Sequence, residues 1–281
     1  MITGQSRALA NAQTALATTV VVLMALVILL PLLWIVGTSL KPPAEYFSDP
    51  PQWIPDPVTF SHYSNVSDFN AGYRSLLNSM VVSTAATLIA VALGTYAAYG
   101  LARLGRRGNI WAIWFLSQRI LPPVALVVPV FLLMREIDWV NTWQGLIVPY
   151  VAINTPFVVW MMRGYFLDIP AAIEESALTE GCSRLSAFRK VVLPISLPGL
   201  LSTTVFVFIY CFSEFIIATF LTQTAASVTV PAQLPSFTIA NSVLYGEMSA
   251  LSLTASLPIL ILGIMTQRYF VRGLTLGAVK N

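Results

Sequence analysis

The sequence predicts an all-α membrane protein with six membrane-spanning helices and with both termini on the cytoplasmic side. Its composition is the first indication, because 57% of the 281 residues are hydrophobic and only 10% are charged. Soluble domains carry about 25% charged residues. So few charges cannot cover a water-facing surface of this size, and lipid must therefore be the main solvent. The lengths of the apolar stretches and the distribution of basic residues between them supply the other two indications.

Six apolar stretches are long enough to cross a bilayer. Crossing about 30 Å of hydrocarbon takes roughly 20 residues of helix. Such spans are expected to be helical, since lipid offers no partner to unpaired backbone groups. The stretches lie at about 15–38, 75–101, 110–134, 143–163, 196–222 and 250–270.

Basic residues collect in alternate loops, which predicts the orientation. Eleven of them fall on one side, which is therefore cytoplasmic: Arg7, Arg103, Arg106, Arg107, Arg163, Arg184, Arg189, Lys190, Arg268, Arg272 and Lys280. Only Lys41, Arg74 and Arg135 fall on the other side. The positive charge therefore needs no nucleic-acid partner to explain it.

The first apolar stretch is too long for a cleaved signal peptide and is predicted to be a retained helix. An outer loop follows at about 39–74. Its six prolines deny it a long helix, because proline lacks the amide hydrogen and clashes with the preceding turn. Residues 1–74 are thus predicted to form a helix with a proline-rich outer loop. His62, the only histidine, is interpreted as an ordinary loop residue.

The second stretch is rich in alanine and glycine, including Ala86, Ala90, Gly94 and Ala98. Small residues let helix backbones approach closely in lipid, where hydrophobic attraction between helices is weak. This face is predicted to pack inside a helix bundle.

The loop between the fourth and fifth stretches, at about 168–194, predicts a short polar helix. Glu174 and Glu175 suit the positive end of a helix dipole, and Asp168 is placed to cap it. Gly181 lies where a helix can end in a left-handed residue. Ser183 is placed to cap a second short helix that ends at Pro194. A compact element in such a loop is typical of a docking site.

The spacing in this loop resembles the Glu-Ala-Ala loop of permease subunits of bacterial ABC importers. That motif continues with three residues, glycine, nine residues, isoleucine, one residue and Leu-Pro. Its positions are occupied here by Glu175, Ser176, Ala177, Gly181, Val191, Leu193 and Pro194, and only Ser176 and Val191 depart from the pattern.

This resemblance implies a type I ABC importer permease fold, in which the loop forms a coupling helix seated in a cleft of an ATPase subunit. We refer to residues 168–194 as the coupling loop. The residues expected to dock the ATPase are Glu174, Glu175, Ser176, Ala177, Leu178, Glu180, Gly181, Leu193 and Pro194.

No nucleotide site is expected in this chain. None of its three lysines, Lys41, Lys190 and Lys280, follows a glycine, so the Gly-Lys-[Ser/Thr] ending of a phosphate-binding loop is absent. The resemblance implies a non-catalytic subunit without a cofactor of its own, with ATP and Mg on two partner ATPase subunits. The other implied partners are a second, non-identical permease and an extracytoplasmic solute-binding protein.

Further segments resemble the carbohydrate branch, the maltose-type second permease subunit. They are Ser39-Leu40-Lys41-Pro42, Leu121-Pro122-Pro123, Gln267-Arg268-Tyr269 and Val271-Arg272-Gly273-Leu274-Thr275. This likeness implies a sugar substrate and a bacterial inner-membrane location. The resemblance to importer permeases as a whole covers about 75–268, the expected transmembrane core, and 269–281 is expected to be a cytoplasmic tail.

Two charged residues fall inside predicted spans, Arg119 in the third and Glu214 in the fifth. A charge at that depth costs roughly 2.5–3.5 kcal/mol, so such groups tend to face a cavity or each other. We expect these two residues to line the substrate pathway or to pair with each other across the subunit. The alternative is a purely structural ion pair, or a contact to the neighbouring permease. Gln118, Pro122, Asn154 and Ser213 are assigned to the same pathway.

Three other functions are weighed against a sugar permease. A secondary transporter would commonly show an internal repeat and ion-coupling carboxylates at mid-membrane, but only Glu214 is available and no repeat is evident. A permease of the same family for a non-sugar solute, such as a glycerol phosphate ester, remains open. A membrane enzyme would need clustered His, Asp or Glu at a membrane face, which the sequence does not show.

Overall fold

The computed structural model describes residues 3–69, 71–239 and 242–275. Its helices are α1 Thr3–Leu40, α2 Ser61–Asp68, α3 Arg74–Arg103, α4 Gly105–Ser117, α5 Pro123–Glu136, α6 Trp143–Asp168, α7 Ala171–Thr179, α8 Arg184–Ala187, α9 Leu193–Ile195, α10 Leu197–Phe212, α11 Ile216–Leu221, α12 Val230–Gln233 and α13 Tyr245–Thr275. Strands β1 Thr238–Ile239 and β2 Ser242–Val243 form an antiparallel hairpin, with Thr238 opposite Val243 and Ile239 opposite Ser242. Three-residue and four-residue 3₁₀ turns cover Pro43–Glu45, Gln118–Ile120 and Leu234–Phe237, and a π turn covers Phe188–Val192.

Four helices are long and apolar enough to cross a membrane, which confirms the predicted class of membrane protein. They are Gln13–Leu40, Arg74–Arg103, Trp143–Asp168 and Tyr245–Gln267, and they correspond to the first, second, fourth and sixth predicted stretches. The third predicted stretch coincides with one bent pair of helices, and the fifth overlaps the second helix of another pair, Leu197–Phe212. Counting each pair as one span brings the number to six.

The third predicted stretch, 110–134, is not one continuous helix. Helix α4 and its 3₁₀ extension end at Ile120, and α5 starts at Pro123 after a bend of 89°. Leu121 and Pro122 are both extended, with ψ of 121° and 134°. Proline lacks the amide hydrogen and forces the preceding residue out of the helical region. The two adjacent prolines therefore break the helix.

The fifth predicted stretch, 196–222, is also interrupted. A helix from Arg184 to Ile195 meets α10 at a bend of 78°, and α10 ends at Phe212, before α11 begins at Ile216. Pro194 was predicted to end the first of these helices, but it lies within the last turn, and the bend falls at Ser196.

The chain packs as two compact units. One contains the residues up to 69 together with 237–254, and the other contains residues 70–236 and those from 255 onward. The division into 1–74, 75–268 and 269–281 stays a prediction. Residues 276–281 of the predicted tail lie outside the described residues, and α13 reaches Thr275.

The larger unit is built around the contact between α3 and α6. Ala86, Ala90 and Ala98 are fully buried on one face of α3. A side chain at Gly94 would place its Cβ 2.5 Å from Cβ of Val158 on α6, which is closer than atoms can pack. The small residues of α3 therefore bring the two backbones together, as the sequence predicts.

In the smaller unit His62 is not the loop residue predicted from the sequence. It lies in α2 with only 2% of its surface exposed. Its Nε2 lies 2.7 Å from the carbonyl oxygen of Lys41, and its Nδ1 lies 3.0 Å from Oε1 of Glu247. Asn65 donates a hydrogen bond of 3.0 Å to the same carboxylate oxygen. These partners offset the cost of burying an imidazole and a carboxylate.

Candidate functional site

The coupling loop folds as two short helices separated by a glycine turn. Helix α7 ends at Thr179, and Gly181 follows with φ of +90°. The amide of Cys182 donates to the carbonyl of Ala177 and that of Gly181 to Leu178, both at 3.0 Å. This pair of bonds is a Schellman cap, which requires a left-handed residue at the glycine position. The predicted glycine stop is confirmed.

Caps at the helix starts differ from one another. The Ser183 hydroxyl accepts a hydrogen bond of 3.3 Å from the amide of Ser186, as predicted. The prediction for Asp168 is wrong, because this residue is the last of α6 and Pro170 holds the cap position of α7 without a side-chain bond. Pro170 takes the cap position with φ of −56° and ψ of 130°, so Asp168 lies two residues too early to cap α7.

Glu174 ties the coupling loop to the end of α3. Its Oε2 accepts a bond of 2.6 Å from Nε of Arg103, and its Oε1 accepts the hydroxyl hydrogen of Tyr99. Arg103 also donates from Nη1 to the carbonyl of Phe166 at 3.3 Å. A charge-assisted pair that is largely shielded from water is much stronger than a surface ion pair. We call Tyr99, Arg103 and Glu174 the loop anchor.

Aromatic rings fill the space beneath the loop anchor. Phe166 and Phe188 are 0% and 1% exposed, and their ring centroids lie 5.9 Å apart. The Tyr99 ring lies 4.4 Å from Phe188 and 5.9 Å from Phe166. Because Phe188 belongs to the loop and Phe166 to α6, this cluster joins α3, α6 and the loop into one packed body.

The outer face of α7 is exposed to solvent. Glu175, Ser176, Glu180 and Gly181 are exposed, and Pro194 is exposed beyond them. The Ser176 hydroxyl donates to the carbonyl of Ala172 at 2.8 Å, so this departure from the motif places no unpaired polar group on the face. Leu178 and Leu193 are half-buried.

Two of the expected docking residues point inward. Glu174 is 7% exposed and Ala177 is also 7% exposed, so neither presents its side chain to a partner. The prediction that Glu174 contacts the ATPase is therefore corrected: its carboxylate is occupied by Arg103 and Tyr99. The sequence offers no signal for this pairing, because Arg103 lies 71 positions earlier. In the sequence it contributes only to the count of basic residues that predicts the membrane orientation.

Substituting Gly181 is expected to loosen the coupling loop through backbone strain alone. No atom lies within 4 Å of a Cβ built at this position, so space is not limiting. A branched residue held in the left-handed region costs on the order of 1–3 kcal/mol. Gly181→Val should therefore raise amide hydrogen exchange across 171–182. Gly181→Asn, which tolerates this conformation, is the matched control and should leave exchange near the wild-type rate.

The predicted pathway residues separate into two groups. Gln118 and Arg119 line a cavity of about 540 Å³ at the break between α4 and α5, together with Ser117, Leu121, Pro123, Leu126, Ala152, Ile153, Pro156 and Tyr210. Pro122 lies at the break itself, between two lining residues. The proline pair thus opens the space beside Arg119.

Glu214 does not pair with Arg119. It accepts the hydroxyl of Tyr150 at 2.9 Å and the amides of Ile217 and Ala218 at 2.9 and 3.0 Å, so it caps α11. The prediction that the two charges pair is wrong, because helix-end amides and a tyrosine satisfy this carboxylate instead.

Asn154 and Ser213 lie apart from the cavity lining. The amide of Asn154 is buried and donates to the carbonyl of Tyr150 at 2.8 Å. The exposed Ser213 hydroxyl donates to the carbonyl of Ile209 at 2.6 Å. Both side chains therefore bond within the chain, and their assignment to the pathway stays a prediction.

The sequence matches a known protein family and is similar to permease proteins of two sugar transport systems. Residues 90–276 match the family described as binding-protein-dependent transport system inner membrane component. The trehalose transport system permease protein SugB of Mycobacterium tuberculosis is 36% identical over 258 residues, covering 90% of this chain and 93% of SugB. The diacetylchitobiose uptake system permease protein DasC of Streptomyces coelicolor is 33% identical over 254 residues, covering 89% of this chain and 91% of DasC.

A solved structure shares the fold. The crystal structure of a bacterial ABC transporter involved in the import of the acidic polysaccharide alginate contains a chain that superposes with a TM-score of 0.78. The identity is 20%, and the superposition covers 92% of this chain and 97% of that chain. At this identity the likeness concerns the arrangement of the helices.

Proposed function

This chain belongs to the binding-protein-dependent transport system inner membrane components, and from that premise we propose that it is one of two permease subunits of an ATP-driven sugar importer. It is an inner-membrane protein. Six spans with both termini in the cytoplasm follow if the pair α4 and α5 crosses the bilayer once and the segment from α10 to α11 crosses it once. The second permease is a different chain, and two ATPase subunits and an extracytoplasmic binding protein complete the assembly.

The observation that carries this proposal is the anchored coupling loop. The loop anchor and the aromatic cluster fix α7 from the inside, while Glu175 and its exposed neighbours remain available outside. A helix held this firmly can transmit a displacement from a partner to α3 and α6 without deforming. That is the mechanical property expected of a coupling helix.

The substrate class follows from the relatives. SugB and DasC carry names for trehalose and diacetylchitobiose transport, and this chain covers most of each. Sugar delivered by the binding protein would enter between the two permeases. ATP-driven closure of the ATPases would draw the two coupling helices together and shift the permease pair from inward-open to outward-open.

Glu175→Lys tests this proposal in the complete complex reconstituted in liposomes with its binding protein. A reversed charge on the exposed face of α7 should weaken ATPase docking and lower ATP-driven uptake of the sugar that the binding protein delivers at least about tenfold, the equivalent of 1.4 kcal/mol. Glu136→Lys, on another exposed residue, at the end of α5, is the control and should transport normally.

Sugar uptake and ATP turnover are measured together. Uptake by the complex that needs no ATP and follows an ion gradient would instead support a secondary transporter. If the amount of sugar taken up per ATP hydrolysed were the same in Glu175→Lys as in the wild type, the coupling loop would have no part in the mechanism.

A further inference from the structure

The cavity at the break between α4 and α5 contains a cation that the chain does not neutralise. Arg119 places its guanidinium carbon 5.1 Å from the ring centre of Phe157 and 5.0 Å from that of Tyr210. Its Nη1 is buried and has no hydrogen-bond partner. Across the part of the chain that the structure describes, no carboxylate oxygen lies within 4 Å of this side chain.

The aromatic faces stabilise the charge but do not cancel it. A cation over a ring gains about 0.5–2 kcal/mol, whereas a charge in the apolar part of a membrane protein normally pairs or faces water. Glu214 lies between α10 and α11, and its carboxylate already accepts hydrogen bonds from the Tyr150 hydroxyl and from two backbone amides. Arg119 therefore brings an unneutralised positive charge to the cavity lining, and its buried Nη1 has no partner within the described chain.

We propose that Arg119 binds an anionic group, a carboxylate, sulfonate or phosphate ester, on the transported solute. The inference rests on the proposed function and assigns the charge of the solute. A guanidinium is the side chain best suited to these groups, because its planar donors match two oxygens at once. Gln118 and Ser117 stand beside it in the lining and can bond the hydroxyls of the same molecule.

Size favours a solute over a single side chain from a neighbouring subunit. The cavity holds about 540 Å³, which falls among the volumes of roughly 300–1,000 Å³ typical of small-molecule sites. One aspartate or glutamate from a partner would leave most of it empty. Among six apolar residues the lining also contains the Gln118 amide and the hydroxyl groups of Ser117 and Tyr210, which can bond the hydroxyls of a sugar acid.

The test is binding to the assembled complex, measured without ATP or transport. The complex is placed in nanodiscs of zwitterionic phosphatidylcholine, and its unfolding temperature is followed against concentration of glucuronate, galacturonate and glucose 6-phosphate. Glucose and galactose are the neutral counterparts, and inorganic sulfate and phosphate are the simple anions. A ligand that binds the folded state raises the unfolding temperature.

We expect at least one acidic sugar to stabilise the wild-type complex at concentrations about tenfold lower than its neutral counterpart and than the simple anions. Arg119→Gln should remove this difference and leave the response to neutral sugars unchanged. Arg119→Lys should retain part of it, because the charge remains but the paired donors are lost. Arg107→Gln, on an exposed basic residue outside the cavity, should behave as wild type.

Four results would overturn the proposal. Equal responses to acidic and neutral sugars would show that the site does not distinguish ligands by charge. Equal responses to glucuronate and sulfate would show an adventitious ion only. If Arg119→Gln separated the two permeases during gel filtration while binding per intact complex was unchanged, a partner carboxylate would be the true counter-ion. If its only effect were to abolish stabilisation by added phosphatidylglycerol, the occupant would be a lipid.

This assay and the uptake test fail independently. Loss of sugar uptake in the Glu175→Lys comparison bears on the proposed function alone. The unfolding measurements bear on the charge of the ligand, because they need neither the binding protein nor nucleotide.

Discussion

Replacing Glu174 by glutamine is expected to uncouple transport, with ATP-driven uptake falling at least about tenfold. The change leaves Arg103, whose side chain is 24% exposed, without its carboxylate partner. Removing one member of a buried pair costs about 3–5 kcal/mol, because the remaining charge is left uncompensated. Helix α7 should then detach from the end of α3, although its exposed docking face is chemically unchanged.

Two measurements separate this anchoring effect from loss of a docking contact. Amide hydrogen exchange over 171–182 should rise in Glu174→Gln and stay near wild type in Glu136→Gln, the surface control. Tyr99→Phe removes one donor and should give a smaller rise. The double exchange Arg103→Glu with Glu174→Arg restores opposite charges and should recover part of the uptake. Wild-type hydrogen exchange and wild-type uptake in Glu174→Gln would show that the loop anchor does not hold α7 in place.

Gly94→Leu is expected to prevent correct packing of the transmembrane core. A Cβ at this position would meet Cβ of Val158 at 2.5 Å, and the carbonyl oxygen of Thr155 lies 3.2 Å away. Overpacking of a well-filled interface costs about 1–3 kcal/mol, and more when backbones must separate. We therefore expect a large loss of the monodisperse complex in gel filtration and a lower unfolding temperature.

The same helix supplies the control. Gly100 has no atom within 4 Å of a Cβ built on it, so Gly100→Leu should assemble as the wild type does. Gly94→Ala should lie between the two, since the first added atom already makes the clash. Equal recovery of Gly94→Leu and Gly100→Leu would contradict the close approach of α3 and α6.

Short-range patterns explain what could be predicted. Membrane spans follow from the length of apolar runs, the turn at Gly181 from a left-handed conformation that glycine adopts at little cost, and the α3 stripe from the spacing of its small residues. Pro122 and Pro123 explain why the helix breaks after Arg119, but they do not explain the angle of 89°. Local chemistry interrupts a helix; the packing around it decides where the next helix points.

The partners of the charged residues could not be predicted in this way. Glu174 and Arg103 are 71 positions apart, and Glu247 and His62 are 185 apart. Hydrophobic periodicity says which face of a helix is buried, but it does not say which residues of distant helices meet. Glu174 was thus expected on the docking surface with Glu175, although consecutive residues of a helix point about 100° apart.

By itself, the sequence determined that this is a membrane protein, which segments are long enough to cross the bilayer, and where the coupling loop lies. Those properties depend on the composition and spacing of neighbouring residues. Only the tertiary structure decided that Glu174 anchors the loop, that Glu214 caps a helix, and that Arg119 is left facing a cavity. Each of these roles depends on which distant groups approach within hydrogen-bonding distance, because a charge in an apolar surrounding takes its function from its partner.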